Sequence, residues 1–285
     1  MKNDIQQEIT QTIIDMMETA GTGWAKEWAA IDAPHNIASG KNYSGINTLV
    51  LSSSTVRGGY ASNIWGTYKQ WADKGAQVKK GEKATGGIFY KTLLIKDKET
   101  DEKKKIPMLR EFKLFNADQV DGYDIPARIE REEIERISAV DKYIKATGAK
   151  IGHGGDSAFF SPFDDRIQMP NADTFTSAET YYGTLLHELT HWTGHKARLD
   201  RLTHARFGSD NYAKEELVAE LGAAFQCQSL SITSEPMENH AKYLNGWIKV
   251  LKADKKAIFK AAALAQRAVT FIETFSDESE LSQSA

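Results

Sequence analysis

Apolar residues recur at helical spacing near the start of the chain, where Ile5, Ile9, Ile13, Met16 and Met17 share one face. Gly21 and Gly23 end that stripe, and Trp24 and Trp28 follow it. Residues 46–56 and 67–74 read as two more helices, the second stopped at Gly75. The period then changes. Residues 87–96 alternate and are rich in β formers, as are residues 108–115, and the charged tract 97–105 between them predicts a hairpin with a solvated tip. Pro126 marks the expected boundary between a first domain, residues 1–126, and a second, residues 127–285. The second opens with a charged amphipathic helix over 128–146. Two short strands follow, around Phe159-Phe160 and Arg166–Met169. The latter is expected to lie at a sheet edge, where an extended peptide can add. Ala178, Tyr181, Tyr182, Leu185, Leu186, Leu189 and Trp192 continue with helical spacing. A capping box from Thr176 to Glu179 is expected to open this helix, and Gly194 to close it. Residues 213–225 and 238–275 are also helical in pattern, and the acidic tail 276–285 is expected to fray. The class is α+β: a mixed domain of helices and a β-hairpin, then a mostly helical domain with a small sheet.

One helix carries chemistry. His187-Glu188-Leu189-Thr190-His191 reads H-E-x-x-H. Residues four apart lie one above the other on a helix, so both imidazoles face one point and can ligate zinc. Glu188 leans to the side of that pair, placed to take a proton from a water that the ion activates. This arrangement hydrolyses peptide bonds. A catalytic zinc needs a third protein ligand and an open fourth position. Gly194-His195 suggests the extension found in metzincins, but its third histidine would fall at Ala197. His204 lies in a polar segment. The helix 213–225 carries Glu215, Glu216 and Glu220 beside a long apolar face. Glu216 and Glu220 stack at i, i+4, a repulsive pair unless a cation lies beside them. This E-x-x-x-E resembles the ligand helix of gluzincins, the thermolysin-like peptidases. The resemblance implies that Glu216 is the third ligand and that Glu220 orients a ligand histidine. Glu215 is the alternate ligand, one position round the helix. With Glu216 as ligand, removal of Glu215 is expected to leave metal binding intact. Zn2+ is the expected ion, with Mn2+ or another divalent ion as alternative.

Composition is that of an ordinary globular protein, with 41% hydrophobic and 10% aromatic residues. The lone Cys227 excludes an internal disulfide and a cysteine-rich metal site, and its apolar neighbours predict a buried thiol. No apolar stretch of signal or membrane-spanning length is present, so a cytoplasmic protein without a membrane partner is expected. Net charge is −3, but its distribution is uneven. Residues 41–96 hold nine basic residues against Asp73 and Glu82 alone. Aromatic residues interleave with these cations. Single-stranded nucleic acid is bound by this combination, cations tracking phosphates and aromatic faces stacking on bases. Lys41, Tyr43, Asn47, Arg57, Trp65, Tyr68, Lys69, Lys79, Lys80 and Lys83 are the expected contacts, Lys79 and Lys80 foremost among them. For the aromatic residues, packing in the core is the competing role.

The ordered motifs Trp24, Pro34-His35-Asn36, Tyr43–Asn47, Trp65–Gln70, Gly75–Glu82 and Phe115–Gln119 resemble the N-terminal domain of ArdC antirestriction proteins, a domain also found at the front of plasmid TraC-type primases. His187–His195 and Glu215–Glu220 resemble the zincin domain that accompanies it. The resemblance spans nearly the whole chain. It implies a single-stranded DNA-binding domain joined to a metallopeptidase-like domain. It also implies a role in protecting incoming plasmid or phage DNA from restriction, with a protein substrate or a restriction-system component as a further partner. The alternative is a DNA-binding protein that acts by occlusion, its metal site structural or silent. Tyr243 and His240 are candidates for stabilising an oxyanion, with core packing the competing role for Tyr243.

Overall fold

The computed structural model describes residues 4–25, 28, 31–96, 103–126, 133–202, 210–232 and 241–283. Packing divides the chain into two compact units. One comprises Met1–Ile5 with Pro34–Pro126, the other Gln6–Ala33 with Ala127–Ala285.

In the first unit, strand β1 (His35–Asn36) pairs in parallel with β2 (Ile64–Gly66), which lies antiparallel to β5 (Lys103–Asn116). β4 (Thr85–Lys96) completes the sheet as the hairpin partner of β5, in the order β1-β2-β5-β4. A second, two-stranded sheet joins β3 (Gln77–Val78) to β6 (Val120–Asp121). Helices α2 (Ile46–Gly58) and α3 (Tyr68–Asp73) supply the remaining walls. Thr67 and Gln70 form a capping box that starts α3. Trp65 and Trp71 are both fully buried and anchor two small cores, with Leu51 and Leu114 around the first and Ile64 and Val120 around the second. A buried polar network holds Trp65: its indole N–H donates to Asn63 Oδ1 at 2.7 Å, which also accepts from Thr55 at 2.7 Å. The hairpin is longer than the apolar alternation indicates. Lys103–Pro107 join the ladder because cross-strand pairing outweighs their weak strand pattern. Pro107 is tolerated where β5 has a neighbour on one side only, since β2 reaches only Phe115 and Asn116. Of the expected tip, residues 97–105, the last three belong to β5 and residues 97–102 lie outside the described residues.

In the second unit, β7 (Lys150–His153), β8 (Phe159–Ser161) and β9 (Arg166–Met169) form a sheet in the order β7-β9-β8. This corrects the edge expected at Arg166–Met169. β9 is central, parallel to β7 and antiparallel to β8, so both of its sides are already paired. Five helices accompany the sheet in this unit: α1 (Ile5–Ala20), α4 (Glu133–Ala146), α5 (Ala178–Thr193), α6 (Asp210–Leu230) and α7 (Ala241–Ala253). A sixth, α8 (Ala257–Gln283), closes the unit. Leu185, Leu186, Leu189 and Trp192 of α5 share a core with Ala223 and Cys227 of α6, Ile272 of α8 and Ile167 of β9. None of the described helices is long and apolar enough to cross a membrane.

The N-terminal stripe seats α1 in this second unit, although the pattern places residues 1–126 in one domain. Thr10 donates to the Lys255 carbonyl at 2.8 Å, and Glu18 pairs with Lys252 at 2.7 Å. Trp24 and Trp28 pack ring to ring, Trp24 against Trp247 and Trp28 against Phe225. An apolar stripe announces that a face is buried without naming what buries it. Trp28 is fully buried. Trp28→Ala is expected to lower the stability of this unit by about 3–5 kcal/mol, read by urea denaturation followed by helical circular dichroism. An unchanged midpoint would show that the N-terminal segment is not part of this core.

Candidate metal centre

Ser177 starts α5 by accepting from the Thr180 amide at 3.1 Å. The cap is one residue later than the expected Thr176–Glu179 box. Thr176 reaches only the Thr180 hydroxyl, at 3.3 Å. Gly194 closes the helix as expected, in a right-handed conformation. From Tyr182 to Thr193 every residue of α5 is buried, because the helix runs through the unit between the sheet and α6. The polar motif is therefore carried inside. Gly222 lets α6 approach closely, since a Cβ there would stand 2.5 Å from Thr190 Cγ2. Gln226 locks the crossing by donating to Thr190 Oγ1 at 3.0 Å.

That approach brings the carboxylates of α6 onto the imidazoles of α5. Glu216 lies between both rings, 3.6 Å from His187 Nε2 and 3.5 Å from His191 Nε2. One ligand atom from each of the three lies within 4.8 Å of the others. Tetrahedral zinc with bonds of about 2.1 Å sets its ligands about 3.4 Å apart, so this donor set fits one divalent ion. Glu220 Oε2 is 3.8 Å from His187 Nδ1, and Glu215 Oε1 is 3.3 Å from His191 Nδ1. Each imidazole thus has a carboxylate on the side away from the convergence point. Glu188 is buried within the same group but outside the convergent trio.

Glu215, the alternate ligand, is buried and lies outside the convergent trio. Arg201 grips it from Nε at 2.9 Å and from Nη2 at 2.9 Å, and donates also to Thr193 Oγ1 and the Thr190 carbonyl. Sequence reasoning missed Arg201, because nothing in the polar loop after α5 separates it from a solvated arginine. Tyr212 was missed as well, although it stands four residues before Glu216 on the same face. Its hydroxyl is 3.2 Å from that of Tyr243, and burial, Tyr243 and the Glu216 carboxylate together raise its pKa. Tyr243 feels the Glu216 and Glu188 carboxylates and stacks on Trp247. His195 turns edge-on to Phe160 and is not in the convergent trio, while His204 and His240 lie outside the described residues.

Burial opposes charge on His187, but the Glu216, Glu220 and Glu188 carboxylates outweigh it and lift its pKa to about 10. Burial likewise opposes charge on His191, yet Glu215 and Glu216 raise it to about 9, against the repulsion of His187. Burial alone would raise Glu216; its contacts with both histidines hold it well below the usual carboxylate range. In Glu215 the contacts with His191 and Arg201 likewise overcome burial and lower the pKa.

In the first unit, Lys41, Arg57, Lys69, Lys80 and Lys83 are exposed, as expected of phosphate contacts. Tyr68 is exposed, with its hydroxyl accepting from Gln77. Tyr43 is half-buried and its hydroxyl accepts from Asn36 at 2.8 Å. Lys79 donates to the Asp118 carbonyl at 2.9 Å, which ties its ammonium to the fold. Two expected contacts are corrected. Trp65 is fully buried, so no base can stack on it. Asn47 donates to the Ile88 carbonyl at 2.8 Å and accepts from the Ile88 amide at 2.7 Å, bracing β4 with both ends of its amide.

Two family models match the chain. The N-terminal domain of the anti-restriction factor ArdC matches residues 3–115, and a zincin-like metallopeptidase domain matches residues 138–264. The metal-free crystal structure of antirestriction protein ArdC from plasmid R388 superposes with a TM-score of 0.81 at 38% identity, covering 96% of this chain and 98% of that one. Its Mn(II)-bound form superposes at 0.79 with the same identity. Protein y4eC of Sinorhizobium fredii is 38% identical over 93% of this chain and 90% of its own length. The DNA primase TraC of Escherichia coli is 36% identical over 96% of this chain, which spans 27% of that longer protein. With an ArdC N-terminal domain ahead of a zincin-like metallopeptidase domain, matched along nearly the full length of a solved ArdC, the chain belongs to the ArdC antirestriction family.

Proposed function

We propose that this chain shields incoming DNA of a mobile element from restriction, binding single strands without sequence preference through its first unit, and that its second unit is a divalent-metal peptidase. The observation that carries the peptidase reading is Glu188. It is a buried carboxylate beside two imidazoles and a third ligand, and a purely structural site has no use for it. His187, His191 and Glu216 would hold the ion, Zn2+ by donor preference, with Mn2+ admitted because the R388 relative was solved with it.

When bound, the ion lowers the pKa of water and polarises a scissile carbonyl. Glu188 accepts the proton of the attacking water and delivers it to the departing amine. Glu220 and Glu215 hold the two rings by their Nδ1 sides, and Arg201 fixes Glu215. The Tyr243 hydroxyl, paired with Tyr212, is assigned to the developing oxyanion. A protein substrate, drawn from the restriction system, is the expected target of this site. DNA binding rests on the exposed cations of the first unit, and the cytoplasm is the compartment in which both activities would meet.

Metal affinity separates the roles on α6. Glu216→Ala is expected to abolish binding in calorimetric titration. Glu215→Ala and Arg201→Ala should each weaken it by about 10–100-fold, in contrast to the neutral effect that the sequence pattern alone suggests for Glu215. Both histidines must be neutral to ligate, so binding at neutral pH releases up to two protons and affinity rises with pH until about 10, less steeply above about 9. Wild-type affinity in Glu216→Ala would remove it from the ligand set.

Glu188→Gln is expected to keep the ion and to lose hydrolysis by at least about a hundredfold, because an amide takes no proton. Retained cleavage of a peptide that the parent cuts would exclude Glu188 as the base. If that variant still protects DNA in cells, protection works by occlusion.

Lys80→Ala with Lys83→Ala should reduce the salt dependence of single-strand binding by about 1.4 in log–log slope, or roughly 0.7 per phosphate contact. An unchanged slope in fluorescence anisotropy would place the phosphates elsewhere.

A further inference from the structure

A cleft of about 510 Å³ opens on the first unit, and none of the groups assigned to the metal lines it. One wall is a face of the hairpin. Phe89 stands opposite Arg110 and Gly87 opposite Phe112, so all four share one side of the β4–β5 ladder. A Cβ on Gly87 would come within 2.6 Å of the Phe112 ring, so that ring reaches over bare backbone. Phe89 stands beside it and is 53% exposed, an uncommon position for a phenylalanine with no described function.

The other wall is made of amides. Asn36 and Gln70 bond each other in both directions, at 3.2 and 3.3 Å, and Asn36 also donates to the Tyr43 hydroxyl. Gln70 Oε1 accepts in addition from the Thr67 amide at 2.8 Å, so the helix cap locks the orientation of the whole edge. The Tyr43 hydroxyl, having accepted, keeps its own proton to donate. Glu111 also borders the cleft, but its carboxylate lies over Gly86 and is ion-paired with Lys113. The charge beside the aromatic face is therefore the Arg110 guanidinium.

We infer that this cleft receives one unstacked base of single-stranded DNA, its ring against Phe89 and Phe112, its edge toward the Gln70 amide N–H and the Tyr43 hydroxyl, which Asn36 holds in place, and the adjoining phosphate on Arg110. The inference rests on the single-strand reading of this unit and gives it a place. An aromatic floor with a neutral hydrogen-bonding edge suits a flat heterocycle, and the second Gln70 amide N–H and the Tyr43 O–H can donate to the carbonyl or ring-nitrogen acceptors that every base carries. The volume falls within the range of small-ligand pockets, about 300–1,000 Å³, and holds one nucleotide rather than a duplex. Of the residues that line it, only Tyr43 stands among the contacts expected from sequence; Phe89 and Arg110 are the new ones.

The test uses the full-length chain in fluorescence anisotropy, against a labelled oligothymidylate and an abasic strand of equal length. Phe89→Ala is expected to weaken oligothymidylate binding about tenfold, leaving abasic binding and the salt slope unchanged. Phe89→Trp should restore it, since the larger ring stacks as well. Arg110→Gln should instead lower the salt slope by about 0.7 on both strands. Parent-like binding by Phe89→Ala would overturn the base site and leave the single-strand reading standing. Equal loss on the abasic strand would overturn it too, because the effect would then not be stacking. A parent protein that binds neither strand would end the broader reading and this site with it.

Discussion

Two imidazoles and four carboxylates meet between two packed helices, and their charges must balance there. An uncompensated buried carboxylate costs several kcal/mol, and this group holds Glu188, Glu215, Glu216 and Glu220 together. In the chain by itself the balance comes from protons on His187 and His191, helped by Arg201 on Glu215. A divalent cation at the convergence point supplies the same positive charge without the protons. The second unit is arranged around this requirement. Gly222 permits the close approach, and Gln226 and Arg201 clamp it.

The same requirement explains why so much of this centre could be read from sequence. H-E-x-x-H and E-x-x-x-E both rest on a helical period, and a helix fixes the relation of its own residues locally. What could not be read depends on chain segments meeting across the fold. Arg201 looks like any loop arginine until Glu215 is seen opposite it. Tyr212 shares the register of Glu216 and was within reach of the same argument. One step round the helix from Glu216, Glu215 meets the other ring nitrogen of His191, a relation across the two helices that the helical period alone does not give.

The first unit is a harder case. Interleaved aromatics and lysines describe a stacking platform and a small core equally well. Trp65 and Trp71 are the core, and Tyr43, Tyr68 and Phe89 are the aromatics that reach solvent or a cleft. Strand order was similarly out of reach. Arg166–Met169 was recognised as a strand, but its central place follows from pairing with both neighbours, which is not a property of four residues. The N-terminal helix shows the same limit, since its partner lies more than two hundred residues away at Lys252 and Lys255.

The central claim is that this buried group exists to hold one divalent ion between α5 and α6. Anomalous diffraction at the zinc and manganese edges, from crystals grown with each metal, tests it directly. The account predicts a single peak bonded to His187 Nε2, His191 Nε2 and Glu216 at about 2.0–2.2 Å, with Glu188 left off the ion. A peak held by Glu215 or Glu188 in place of Glu216, or no peak at saturating metal while Glu216 still bridges both rings, would contradict it.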